Sequence, residues 1–194
     1  LARNAQDNVD AAADCYRRVM ELTPGRRDAR LALGQLLVTA RRYPAAREVL
    51  DAGLALDPTD FDLQLARAQV LELEGSLDEA IAVYERIASE SDSLRCRALT
   101  RTAATLRKAG RPAAGLMAAR SAAWSDPDNY AAHHQIGQAL KELGWLGSAA
   151  EVFRRSHALF RRPGATTTPD LPTFTRTSRA KLRHDVQQID YLTS

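Results

Sequence analysis

The chain has 194 residues, 27 of them basic and 24 acidic, for a net charge of +3. So mild an excess is the signature of a solvated surface and excludes a chain built to coat nucleic acid or an anionic membrane. Its longest apolar run, Leu31 to Ala40, is too short and too interrupted to span a bilayer. Aromatic residues make up 6% and alanine is abundant, a composition suited to helices packed at short range.

In chain order, residues 8–22 read as a helix with Ala12, Tyr16 and Val19 on one side, stopped before Pro24. Residues 27–60 then read as two helical segments joined by a turn. Leu33-Gly34 stands at the seventh and eighth places of this stretch, Leu37 at the eleventh and Ala46 at the twentieth. Leu50 is at the twenty-fourth, Gly53 at the twenty-seventh and Pro58 at the thirty-second. Pro24 precedes Pro58 by 34 residues, so residues 8–22 are the second helix of an earlier copy.

This spacing resembles the tetratricopeptide repeat, in which a large residue, Leu-Gly, an aromatic, Ala-x3-Phe and Pro recur over two antiparallel helices, A and B. The fourth place, large in the family, holds Arg30. The pattern is a packing pattern. Gly34 is expected to face Ala46 so that the two backbones approach, with Leu37 and Leu50 beside them, and Pro58 to end helix B. One such hairpin cannot bury its apolar face alone, so copies must stack.

Three more copies follow. In residues 61–95, Ala68 takes the glycine place and Leu71 the aromatic one. Glu74-Gly75-Ser76 turns into Ala80, Tyr84 and Ala88, with Ser76 and Glu79 spaced as a capping box. In residues 96–129, Leu99, Ala103 and Leu106 mark helix A and Gly110-Arg111-Pro112 the turn. Gly115, Ala119 and Ala122 are the small places of helix B, and neither aromatic place is filled. In residues 130–162, His133 stands at the large fourth place, followed by Ile136-Gly137, Leu140, Ala149 and Phe153. The resemblance therefore covers about residues 1–162, with a partial repeat over 1–26. It implies an all-α fold, a right-handed α-solenoid of helix-turn-helix repeats.

Residues 163–178 change character to PGATTTPDLPTFTRTS, a Thr/Pro-rich linker. Residues 179–194 read as a C-terminal helix with Leu182, Val186 and Ile189 on one stripe, either a cap on the array or the start of a further domain. The chain begins with Leu1 inside a repeat and ends at Ser194 without a stop signal, so a longer protein is expected. Residues 179–192 resemble the junction at which bacterial repeat arrays precede an oxygenase domain that uses iron and 2-oxoglutarate. That resemblance implies an alternative role, as the substrate-recruiting region of a larger enzyme.

The chain shows no constellation for catalysis. His133 and His134 are adjacent and point to different sides of a helix, His157 is alone, and His184-Asp185 lacks the spacing of a metal triad. There is no phosphate loop and no nucleophile elbow. Glu72 and Glu74 are read as solvent-facing. Cys15 and Cys96 lie about two repeats apart on different helices, so reduced thiols and a cytoplasmic location are expected. Neither catalysis in this chain nor a cofactor or metal is expected.

Function must then come from a surface. In the family the A helices line a concave groove, and the resemblance carries its facing places onto Gln35 in the first full repeat and Leu65 and Gln69 in the second. In the third these places hold Arg97, Arg101, Arg107 and Lys108, and in the fourth His134 and Gln138. Arg97 and Arg101 are one helical turn apart and can share one carboxylate. The expected ligand is a protein or peptide segment with an acidic group there. One subclass of the family grips a chaperone's C-terminal carboxylate through a five-residue clamp. Arg97 and Arg101 resemble its last two members, but Leu31, Gln35 and Ala66 replace its Lys, Asn and Asn, so a chaperone is not the expected ligand. Basic residues concentrate in one repeat instead of recurring in each, which argues against nucleic acid. Self-association through exposed terminal repeats is a further expectation.

Overall fold

The computed structural model describes residues 2–162. Nine α-helices follow one another there, with no strand among the described residues. They are α1 (Ala2–Leu22), α2 (Arg27–Thr39), α3 (Tyr43–Leu54), α4 (Phe61–Glu74), α5 (Leu77–Glu90), α6 (Arg95–Lys108), α7 (Pro112–Ser125), α8 (Tyr130–Glu142) and α9 (Leu146–Phe160). The fold is the all-α helical-repeat solenoid expected from the sequence. The linker over 163–178 and the C-terminal helix over 179–194 fall outside the described residues. Helix α1 departs from expectation: it runs unbroken from Ala2, where the end of an A helix and a turn were expected before residue 8. Nothing in Asn4-Ala5-Gln6-Asp7-Asn8 is a glycine or proline, so nothing there interrupts a helix.

The turn inside each hairpin explains part of the repeat. Gly75, Gly110 and Gly144 all take left-handed backbone, at φ 94°, 73° and 83°. Arg41 stands at the same place in the first hairpin and also takes positive φ, at 59°. A side chain there costs roughly 1–2 kcal/mol. Helix α4 is capped by Asp60, whose carboxylate accepts from the Asp62 and Leu63 N–H groups. Helix α8 is capped by Asn129, which accepts from Ala131 and Ala132.

The chain divides into two compact units at Glu79 and Ala80. In the first, α1 packs on α2, α2 on α3 and α3 on α4, and the A helices α2 and α4 lie side by side. Its core joins Ala13, Leu33, Leu37, Ala46, Leu50, Leu63 and Val70. A Cβ on Gly34 would sit 3.1 Å from Leu50 Cδ2. The residue facing Gly34 is therefore Leu50 and not the expected Ala46: the small residue makes room for a large one, not for a second small one. Glu72 and Glu74 are also placed otherwise than expected. Glu72 is buried, and Glu74 receives Arg47 at 3.1 Å.

In the second unit α6 packs on α7, α7 on α8 and α8 on α9, with the A helices α6 and α8 in contact. The core joins Ala103, Leu116, Ala119, Ile136, Leu140, Ala149 and Phe153 with smaller neighbours. A Cβ on Gly137 would meet the Phe153 ring at 2.8 Å, the same glycine-to-large-residue contact as Gly34 and Leu50.

One contact recurs that the sequence pattern did not announce. The side chain at the fourth place of a repeat donates to the carbonyl of the proline six residues earlier. Arg30 Nη1 donates to Pro24 O. Gln64 Nε2 donates to Pro58 O at 2.6 Å, and His133 Nε2 lies 2.9 Å from Pro127 O, which fixes the His133 proton on Nε2. All three side chains are buried. A carbonyl left at the turn between repeats needs a donor, and a long polar side chain supplies one while its stem fills the large place. Arg30, the apparent departure from the family pattern, does both: its Cδ would lie 2.8 Å from a Cβ on Gly53. The third repeat has neither the proline nor the polar head. Leu99 stands at the fourth place, and Arg95 Nε reaches back to Ala88 O at 3.1 Å instead.

Candidate functional site

In the first unit the A-helix wall is made by α2 and α4. Gln35 is half-buried on α2, while Gln69 and Leu65 on α4 are 5% and 1% exposed. Leu65 belongs to the buried core. Gln35 and Gln69 occupy the ninth place of successive repeats, and the Nε2 of each is buried with no acceptor.

In the second unit the wall is made by α6 and α8. Helix α6, RCRALTRTAATLRK, carries five cations and no acid along its length. Arg97 and Arg101 are half-buried and one turn apart, and Lys108 is exposed in the last turn. Thr100, Thr102 and Thr105 satisfy their hydroxyls within the helix, each donating to the carbonyl four residues back. Arg107 is placed differently from its expected neighbours. Its guanidinium turns to α8, meeting both carboxylate oxygens of Glu142 and donating to Gln135 Oε1 at 2.7 Å. Its side chain is 14% exposed. Its stem leaves no room on α7: a Cβ on Gly115 would sit 2.8 Å from Arg107 Cγ. Arg107 thus clamps three helices of the unit together. The sequence held a signal for this, a cation at the twelfth place of one repeat and an acid at the thirteenth of the next, but it read as a groove charge. On α8, His134 stacks at an angle on Phe153, with centroids 5.4 Å apart, and Gln138 Nε2 lies 3.4 Å from its Nε2.

Among the described residues no three His, Cys, Asp or Glu side chains converge to hold a metal ion, and no helix is long and apolar enough to cross a membrane. Burial pushes the Cys96 thiol above its ordinary range, with Asp126 adding to the effect and Ser125 and Thr100 opposing it. Such a cysteine stays a thiol at neutral pH and is a poor nucleophile.

Tetratricopeptide repeat sequences match residues 1–61, 31–94 and 130–156 of the chain. The chain belongs to the tetratricopeptide repeat family. A curated relative is BBSome complex member BBS4 of Bos taurus, 28% identical over 81 residues, which are 42% of this chain and 16% of that protein. Among solved structures, MamA shares the fold at TM-score 0.64 and 18% identity, covering 82% of this chain and 92% of its own. YrrB, described as a TPR protein with an unusual peptide-binding site, does so at 0.56 and 16%, covering 93% and 84%. A tetratricopeptide repeat protein from Parabacteroides merdae reaches 0.71 at 13% identity, covering 96% of this chain and 66% of its own. Repeats of this kind form a protein–protein interaction module.

Proposed function

We propose that the A helices of each unit bind a partner-protein segment: backbone carbonyls at Gln35 and Gln69 in the first unit, and an acidic group at Arg97 and Arg101 in the second. The observation that carries this reading is the pair of buried amides at Gln35 and Gln69. A buried donor without an acceptor costs about 1–3 kcal/mol. Rotation of each side chain toward the wall lets a ligand carbonyl accept from the amide and removes that cost, and two such donors at the same place of successive A helices suit a ligand running from α2 to α4. The acidic preference is supported by the absence of any acid along α6. Arg97 and Arg101, one turn apart on this helix, are the cations assigned to the ligand. His134 and Gln138 complete the wall on α8.

Two variants test the reading. Partners captured from the source lysate by the wild-type chain and by Arg97→Glu/Arg101→Glu are compared by mass spectrometry. A partner lost from the variant supports the assignment, and identical sets sink it. The change Gln35→Leu/Gln69→Leu is expected to weaken the same partner about tenfold while raising resistance to urea. Weaker binding with unchanged or lower stability would mean that these amides are not unmet donors.

A further inference from the structure

Helix α7 has two faces. Gly115, Leu116, Ala119 and Ala122 are buried on one. Met117, Arg120 and Trp124 lie on the other, spaced i, i+3 and i+7, so they form one stripe. Trp124 is 89% exposed and Met117 64%. A tryptophan that open is unusual, since its ring gains most when covered. The stripe is one wall of a cleft of about 840 Å³ whose other wall is Asp92, in the turn before α6, and Arg95 and Leu99 on α6. On α6, Arg95 and Leu99 lie about half a turn around the helix from Arg97, Arg101 and Lys108. The cleft is therefore separate from the A-helix wall of this unit.

The charges in the cleft differ in state. Arg95 is bound to Asp92 at 2.5 Å and to the Ala88 carbonyl. Arg120 is exposed, and among the described residues no acid pairs with it. An aromatic ring, a methionine and an uncommitted arginine on a rigid helix are the residue types that concentrate binding energy at protein interfaces.

We infer that this cleft is a second docking site, for a partner-protein segment that places an aromatic or branched apolar side chain on Trp124 and Met117 and an adjacent carboxylate on Arg120. The apolar side chain covers the open ring, and the carboxylate meets the arginine in paired, forked geometry. The commitment to a carboxylate follows from charge: the acid of the cleft is already engaged, so the cation left over is Arg120.

The chain has two tryptophans, so Trp145→Phe makes Trp124 the sole indole reporter. A displayed library of short random peptides is panned on this full-length variant, with its Trp124→Ser derivative in solution as competitor. The expected result is enrichment of peptides in which an aromatic or branched apolar residue stands within two positions of Asp or Glu. Synthetic copies should shift Trp124 emission to the blue. They should bind at least about tenfold more weakly to Arg120→Glu and unchanged to Arg97→Glu/Arg101→Glu. All five substituted side chains are half-buried or exposed and lie outside the core, and unchanged circular dichroism checks that each variant is folded. No enrichment, enrichment without an acid, or equal binding to Arg120→Glu overturns the inference. So does a blue shift of Trp124 on vesicles of phosphatidylglycerol with no peptide enriched, which would make the stripe a membrane contact. Loss of binding in Arg97→Glu/Arg101→Glu would place the peptides on the A-helix wall instead.

Discussion

In the α8–α9 hairpin the helices meet around a ring. Phe153 fills the space over Gly137, and the His133 head is tied to Pro127 O. In the α6–α7 hairpin the place of Phe153 holds Ala119 and the place of Gly137 holds Ala103, both fully buried. There the backbones themselves close in: a Cβ on Gly115 would lie 3.0 Å from the Ala103 carbonyl oxygen. The same fold is thus stabilised once by the volume of an aromatic and once by small residues that let main chains touch. Both solutions reach a dense interior, because packing rewards the absence of gaps and not any one side chain. The difference has a consequence for the surface. Of the large side chains of α7 only Leu116 is buried, and Met117 and Trp124 face solvent.

The largest expected effect breaks the ring-packed hairpin. Phe153→Ala should cost about 3–5 kcal/mol, read as a lower urea midpoint, because a fully buried ring leaves a cavity beside Gly137. Next comes the close-packed hairpin. Gly115→Ala should cost about 1–3 kcal/mol, since the new methyl meets a backbone oxygen as well as the Arg107 stem. If Gly115→Ala proved neutral, the two hairpins would not differ in the way described. The turns should show no such difference. Gly110→Ala and Gly144→Ala should each lose roughly 1–2 kcal/mol, as both turns have open space around them and share positive φ. Arg41→Gly should gain a similar amount, measured by the same unfolding curves. The smallest effect belongs to the clamp between the hairpins. Glu142→Gln should cost about 0.5–1 kcal/mol at low salt and less in high salt, since the acid is partly exposed.

Much of this was legible in the residues. The helix pairs follow from the spacing of Leu33-Gly34, Ala46, Leu50 and Pro58, because side chains repeating at helical intervals define which face is buried. The turns at Gly75 and Gly110 were legible for the same local reason. The candidate wall was legible only as places. Nothing local distinguishes Arg107 from Arg97 or Arg101: all three are cations on one helix. The difference arises because Glu142 and Gln135, 35 and 28 residues later, come within reach of Arg107. Glu72 misled in the same way, since a carboxylate in a helix reads as solvated until a neighbouring element covers it.

The sequence by itself determined the repeat, its turns and its all-helical character, all of which are set by interactions within about one hairpin. Only the tertiary structure decided which polar groups are spent inside the fold and which remain for a ligand. It showed that Arg30, Gln64 and His133 serve proline carbonyls and that Arg107 serves Glu142. It also showed that the amides of Gln35 and Gln69 are buried without acceptors, and that Trp124 stands open beside Arg120. The physical reason is reach. Periodicity fixes the direction of a side chain, but a hydrogen bond or an exposed ring depends on what a distant part of the chain brings to within about 3 Å of it.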